Sequence, residues 1–122
     1  MTLPTACGLR TPETELLQVG GLAVLAVRRY DRLEEKAGLV RLHQEDGCQA
    51  TAMPPALKYE EHGGPSLRTL ATILRDFGDP ADVTDLLRRT TFSMAVGNAD
   101  AHAKNLSLLH DDAGSAVRLA PL

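Results

Sequence analysis

The chain reads as an α+β protein, with a mostly helical middle flanked by two short β-hairpins. Three observations predict this. Two apolar runs meet at Gly20-Gly21 near the start. A stripe with helical spacing begins at Leu67. Two more apolar runs enclose the turn-forming stretch Asp111-Asp112-Ala113-Gly114-Ser115 near the end. At 122 residues this is one small domain or a piece of a larger one.

Taken in order, residues 1–12 hold Pro4, Gly8 and Pro12 and read as an irregular entry. Thr14–Val19 and Leu22–Val27 form the hairpin of region 13–32, because paired glycines supply the positive φ of a tight turn. The second run is apolar at every position, the pattern of a strand covered on both faces. It stops at Arg28-Arg29-Tyr30-Asp31-Arg32, and residues 33–42 read as a charged connection around Gly38.

Region 43–97 reads as helical. His43 to Ala52 gives one or two turns that Met53-Pro54-Pro55 stops, and a polar loop leads to Ser66, a good N-cap. Leu67, Leu70, Ala71, Leu74 and Phe77 then make one stripe, which Gly78 ends. Asp79 caps the next helix, with Pro80 at its first position. Val83, Leu86, Leu87, Thr90 and Met94 form its stripe. Phe92, Ala95 and Val96 add a second face, which predicts buried last turns that hold the following loop. Region 106–119 is the closing hairpin, Leu106–His110 against Ala116–Leu119.

Composition narrows the function classes. A net charge of −3 gives no basic footprint, so direct nucleic-acid binding and membrane-surface binding are disfavoured. Two Tyr, two Phe and no Trp leave few platforms for stacking bases. Cys7 and Cys48 stand alone, without a CxxC partner, as reduced thiols do in a cytoplasmic protein. The first residues lack a signal-peptide pattern and no apolar run could span a bilayer, so a cytoplasmic location is expected.

The chemistry concentrates in Gly97-Asn98-Ala99-Asp100-Ala101-His102-Ala103-Lys104-Asn105, catalytic loop candidate 98–105. Asp100 and Asn105 have the separation of Asp and Asn in the kinase loop H-R-D-L-x-x-x-N. There the Asp accepts the proton of the substrate hydroxyl and the Asn holds magnesium on the ATP phosphates. His102 and Lys104 could place donors or positive charge against phosphate. The plain alternative is a polar turn between helix and strand. His43, His62 and His110 have no partner at ligand spacing and read as surface or loop residues, while a further alternative takes Asp100, His102 and His110 as metal ligands of a hydrolase.

Residues Asn98 to Ser107 resemble the catalytic loop of the HipA-type serine/threonine kinases, the toxins of HipBA (type II) toxin–antitoxin pairs. Three more stretches resemble the family in the same order. Val27-Arg28-Arg29-Tyr30-Asp31-Arg32 is similar to its V-E-R-F-D-R hinge strand. His43-Gln44-Glu45-Asp46-Gly47-Cys48-Gln49 is similar to its Q-E-D-x-C-Q helix. Lys58-Tyr59-Glu60 with Gly63-Gly64-Pro65 is similar to its K-Y-E…G-G-P segment.

The resemblance implies a kinase C-lobe-like core and a partial HipA-like C-terminal kinase domain over 1–122. It implies ATP and magnesium as cofactors, a protein substrate, and a HipB-like DNA-binding antitoxin as partner. Asp100 becomes the catalytic carboxylate and Asn105 the metal ligand. Arg28 and Tyr30 become adenine contacts through their backbone, Asp31 and Gln44 ribose contacts, and His102 and Lys104 phosphate contacts. Arg28 stands where the family usually has Glu. The family's phosphate loop and its lysine belong upstream of these residues, and its second metal-binding Asp belongs just past Leu122. Little or no kinase activity is therefore expected of this polypeptide alone; the contrasting expectation is a non-catalytic binding module that contacts the antitoxin.

Overall fold

The computed structural model describes residues 2–122. Its core forms where two helices pack on a three-stranded antiparallel sheet. Helix α3, Leu67–Phe77, starts where Ser66 Oγ accepts the Thr69 N–H at 3.0 Å. Helix α4, Pro80–Ala95, starts where the Asp79 carboxylate accepts the Ala81 N–H at 2.8 Å. The sheet orders its strands β5 (Gln44–Asp46), β6 (Ser107–His110) and β7 (Val117–Leu119). Leu70, Leu74, Leu86, Leu108, Val117 and Leu119 interlock between helices and sheet, each side chain contributing about 1.5–3 kcal/mol by leaving water. The α+β class and the closing hairpin agree with the expectation from sequence.

Three expectations about the elements need correcting. The segment 33–42 is a hairpin, β3 (Arg32–Glu35) against β4 (Gly38–Arg41), and not a connection. Residues 43–52 begin as strand β5, because β6 supplies ladder partners from Ser107 to Leu109. Only then does the short helix α2, Gly47–Ala50, begin, with Asp46 and Gln49 forming a reciprocal capping box. The entry segment contains helix α1, Leu3–Ala6, and buries Leu9.

Helix α4 departs further. Its buried face carries Asp82, Asp85, Leu86 and Arg89, whereas Leu87 and Met94 are exposed. Ion pairing makes this affordable: Arg10 donates to both Asp82 and Asp85, and Arg89 donates to Asp85 and to the Ala120 carbonyl. Asp82 also accepts the Leu119 N–H at 3.1 Å. Buried charges persist only when paired and hydrogen-bonded like this. The last turn is not buried as expected, since Met94, Ala95 and Val96 are exposed.

The first hairpin has the predicted bounds, β1 (Thr14–Val19) with β2 (Leu22–Val27), turning at Gly20 and Gly21 with φ of +57° and +83°. Its cover does not match the expectation. Leu16, Leu22 and Leu25 are 69 %, 70 % and 64 % exposed, so neither face is covered within this chain. Among the described residues no helix is long and apolar enough to cross a membrane.

Candidate functional site

Other contacts fix the polar loop in place of a buried helix end. The Asn98 N–H donates to the Ser93 carbonyl at 2.9 Å, extending the end of α4. Asn98 Oδ1 then accepts the Asp100 N–H at 3.1 Å, an Asx-type turn. Beyond His102 the chain makes a 3-10 turn, Ala103–Asn105, and enters β6. Ala103 is buried, and its N–H donates to the Lys58 carbonyl at 3.1 Å. Gly47 packs against it so closely that a Cβ there would lie 2.7 Å from the Ala103 carbonyl oxygen. The Gly47 N–H donates to Leu106 at 3.0 Å, and Lys104 Nζ meets Asp46 at 2.7 Å. The loop is stitched to α2 on one side and to the Lys58-Tyr59 segment on the other.

Asp100 lies where three donors converge. Tyr59 Oη donates to its Oδ1 at 2.6 Å, Lys58 Nζ stands 3.9 Å away and His102 Nε2 3.5 Å. The Tyr59 hydrogen bond, then the Lys58 charge, hold this carboxyl below the usual carboxylate range. Asn105 Nδ2 donates to the Asp100 carbonyl at 3.0 Å, which joins the two ends of the motif. The ring of Tyr59 meets His102 edge to face at 5.1 Å, and Lys58 Nζ sits 4.9 Å over it. Tyr59 and Lys58 were absent from the expected site residues, although both lie in the K-Y-E segment.

The remaining expected contacts are scattered. Arg28 pairs with Glu13 at 3.1 Å and Glu34 at 3.9 Å, and Tyr30 is half-buried at the end of the first hairpin. Asp31 is 2 % exposed and its carboxylate takes both Arg29 and Arg32. The Arg29 hydrogen bonds are the largest influence and hold the Asp31 pKa down at about 2. Lys104 is engaged by Asp46; burial raises the Asp46 pKa, but the Lys104 hydrogen bond and the Gln49 and Cys48 N–H groups outweigh it. A cavity of about 440 Å³ opens beside the loop, lined by Lys58, Asn98, His102, Asn105 and Arg89 among others. Its lining includes neither Asp100 nor residues 28–31. The hydrolase metal set fails to assemble, because His110 faces Glu45 at 2.9 Å in place of Asp100 and His102.

A nucleotide–magnesium pair can be tested against these side chains. Among the described residues two buried side-chain polar atoms have no protein partner, His102 Nδ1 and Gln44 Oε1, and both residues belong to the expected nucleotide contacts. With its Nδ2 engaged by the Asp100 backbone carbonyl, Asn105 keeps its amide oxygen for a hard cation, and the Asp100 carboxyl is held ionised. These residues fit such a group. Asp31 and Lys104 fit it less well, since their charges are already paired.

The family model described as the HipA-like C-terminal domain matches residues 1–122. The chain belongs to that family. The HipA-like chain is 45 % identical over 125 residues to Y4mE of Sinorhizobium fredii, a protein with a provisional kinase name, covering 100 % of this chain and 29 % of that one. It is 28 % identical over 128 residues to the serine/threonine-protein kinase toxin HipA of Shewanella oneidensis, covering 93 % and 30 %. Among solved structures it superposes on the Shewanella HipA–HipB–operator DNA complex with a TM-score of 0.84 at 26 % identity, covering 98 % of this chain and 31 % of that one. The HipA-like chain thus spans under a third of the length of these relatives.

Proposed function

We propose that this HipA-like chain carries the catalytic loop of an ATP-dependent serine/threonine protein kinase of the HipA toxin type, and is weak or inactive alone. The carrying observation is the Asn105 Nδ2 bond to the Asp100 carbonyl, together with the Tyr59–Asp100 bond. They support the reading because Asn105 is tied to the backbone of the residue whose carboxylate Tyr59 engages. Bound Mg-ATP supplies the transferable phosphoryl group and neutralises its charge. Asp100 accepts a hydrogen bond from the protein hydroxyl and orients it; its lowered pKa makes it a better orienter than proton sink. Asn105 holds the metal through its amide oxygen. His102 donates to phosphate, and Gln44 takes a ribose hydroxyl on its unpartnered oxygen. Arg28 and Tyr30 offer backbone groups to adenine, while Asp31 and Lys104 act through the pairs they already make.

The test is a thermal-shift titration of the chain with ATP, with and without magnesium. A magnesium-dependent shift that Asn105→Ala abolishes and Asp100→Ala alters supports the kinase reading. No shift with any nucleotide supports a binding module instead. A specific observation favours that second reading: the superposing structure contains HipB, and the first hairpin leaves its apolar faces exposed. On it the chain contacts a HipB-like antitoxin without phosphoryl transfer.

A further inference from the structure

Sheet register gathers a second group of chemistry-bearing side chains that the kinase reading leaves unused. β5 pairs with β6 so that Gln44 opposes Leu109 and Glu45 opposes Leu108. One step further along, the His110 N–H donates to the His43 carbonyl at 3.0 Å, which sets those two histidines directly across from each other. His43 and Glu45 are two apart on one strand and so share a face. His110 joins them from the neighbouring strand. Its Nε2 lies 2.9 Å from Glu45 Oε2, and the two imidazole rings are 4.7 Å apart. One ligand atom from each of His43, Glu45 and His110 lies within 4.8 Å of the others.

The geometry points to a transition-metal site, of the zinc class, held by His43, Glu45 and His110. Two imidazoles and a carboxylate form a donor set that zinc takes with an open fourth position. Tetrahedral ligation at about 2.0–2.1 Å separates ligand atoms by roughly 3.3 Å. The His110–Glu45 pair is already that close, and His43, being exposed, can turn its ring to close the third side. Backbone pairing between β5 and β6 fixes all three Cα positions beforehand, so few freedoms are lost on binding. A bound ion would clamp β5 to β6 from the face opposite Gln44 and Asp46, stiffening the strand that carries the Asp46–Lys104 tie to the loop. None of its three ligands is among the residues assigned to the nucleotide, so zinc binding is read separately from any nucleotide shift.

The experiment is isothermal titration of the metal-free full chain with Zn²⁺ alone, and with Co²⁺ for its visible absorption. Expected are one equivalent of Zn²⁺, an intense tetrahedral-type Co²⁺ band, and at least a tenfold loss of affinity in each of His43→Ala, Glu45→Gln and His110→Ala. His43 is exposed, so His43→Ala keeps its circular dichroism and isolates ligation from folding. His62→Ala, at an exposed histidine outside the cluster, binds as the parent does. Absence of stoichiometric binding, or binding that survives His43→Ala, overturns the site.

Discussion

The polar loop at 98–105 and the hairpin at 14–27 make opposite use of their residues. The loop is exposed and hydrophilic, yet it is held by Ala103, Gly47, Tyr59 and Lys104 through contacts from three separate elements. The hairpin is apolar, yet its leucines touch solvent, and it pairs only with itself. Two-stranded hairpins alone are marginal in water. Rigidity in this molecule follows tertiary stitching and not hydrophobic content. A catalytic-type loop gains defined geometry that way, whereas an apolar hairpin without cover retains only its local ladder.

Breaking the stitching should have the largest effect. Gly47→Val puts side-chain atoms against the Ala103 carbonyl, so the backbone must move. A loss of about 2–4 kcal/mol is expected, with displaced amide resonances from Ala103 to Leu106, as chemical denaturation and NMR can read. A smaller effect belongs to Asp31, which braces the short connection between the first two hairpins through Arg29 and Arg32. Its folded pKa of about 2 lies below the unfolded value, so its stabilisation is complete above about pH 4 and is lost as pH falls towards 2. Asp31→Asn should remove that part of the acid-induced loss; an unchanged acid profile would contradict the anchoring role. Least affected should be Leu25→Lys, at a side chain 64 % exposed. Stability should hold within about 0.5 kcal/mol while solubility rises, a result that sharpens the contrast with the loop.

Features settled by near neighbours were legible in the sequence. Helix α3 followed from its spacing and the cap at Ser66, helix α4 from the cap at Asp79 with Pro80 after it, and the first hairpin from its glycine pair. What escaped depends on partners far along the chain. Strand β5 looks helical until β6 arrives to accept its ladder. The buried face of α4 carries Asp82, Asp85 and Arg89 where the spacing puts Leu87 and Met94, because Arg10 arrives from far along the chain to pair with both carboxylates. At the candidate site, the 98–105 motif was visible, but what aims Asp100 was not, because Tyr59 reaches it only after folding. His43 and His110 likewise seemed unrelated until register set them side by side.

The Leu122 N–H donates to the Arg10 carbonyl at 2.8 Å, while the Arg10 guanidinium grips α4. Positions 10 and 122 are therefore neighbours, and the intervening polypeptide closes on itself like a ring. Leu122 also lines the cavity that His102 and Asn105 border, so sequence grafted after it would start at the rim of the candidate site.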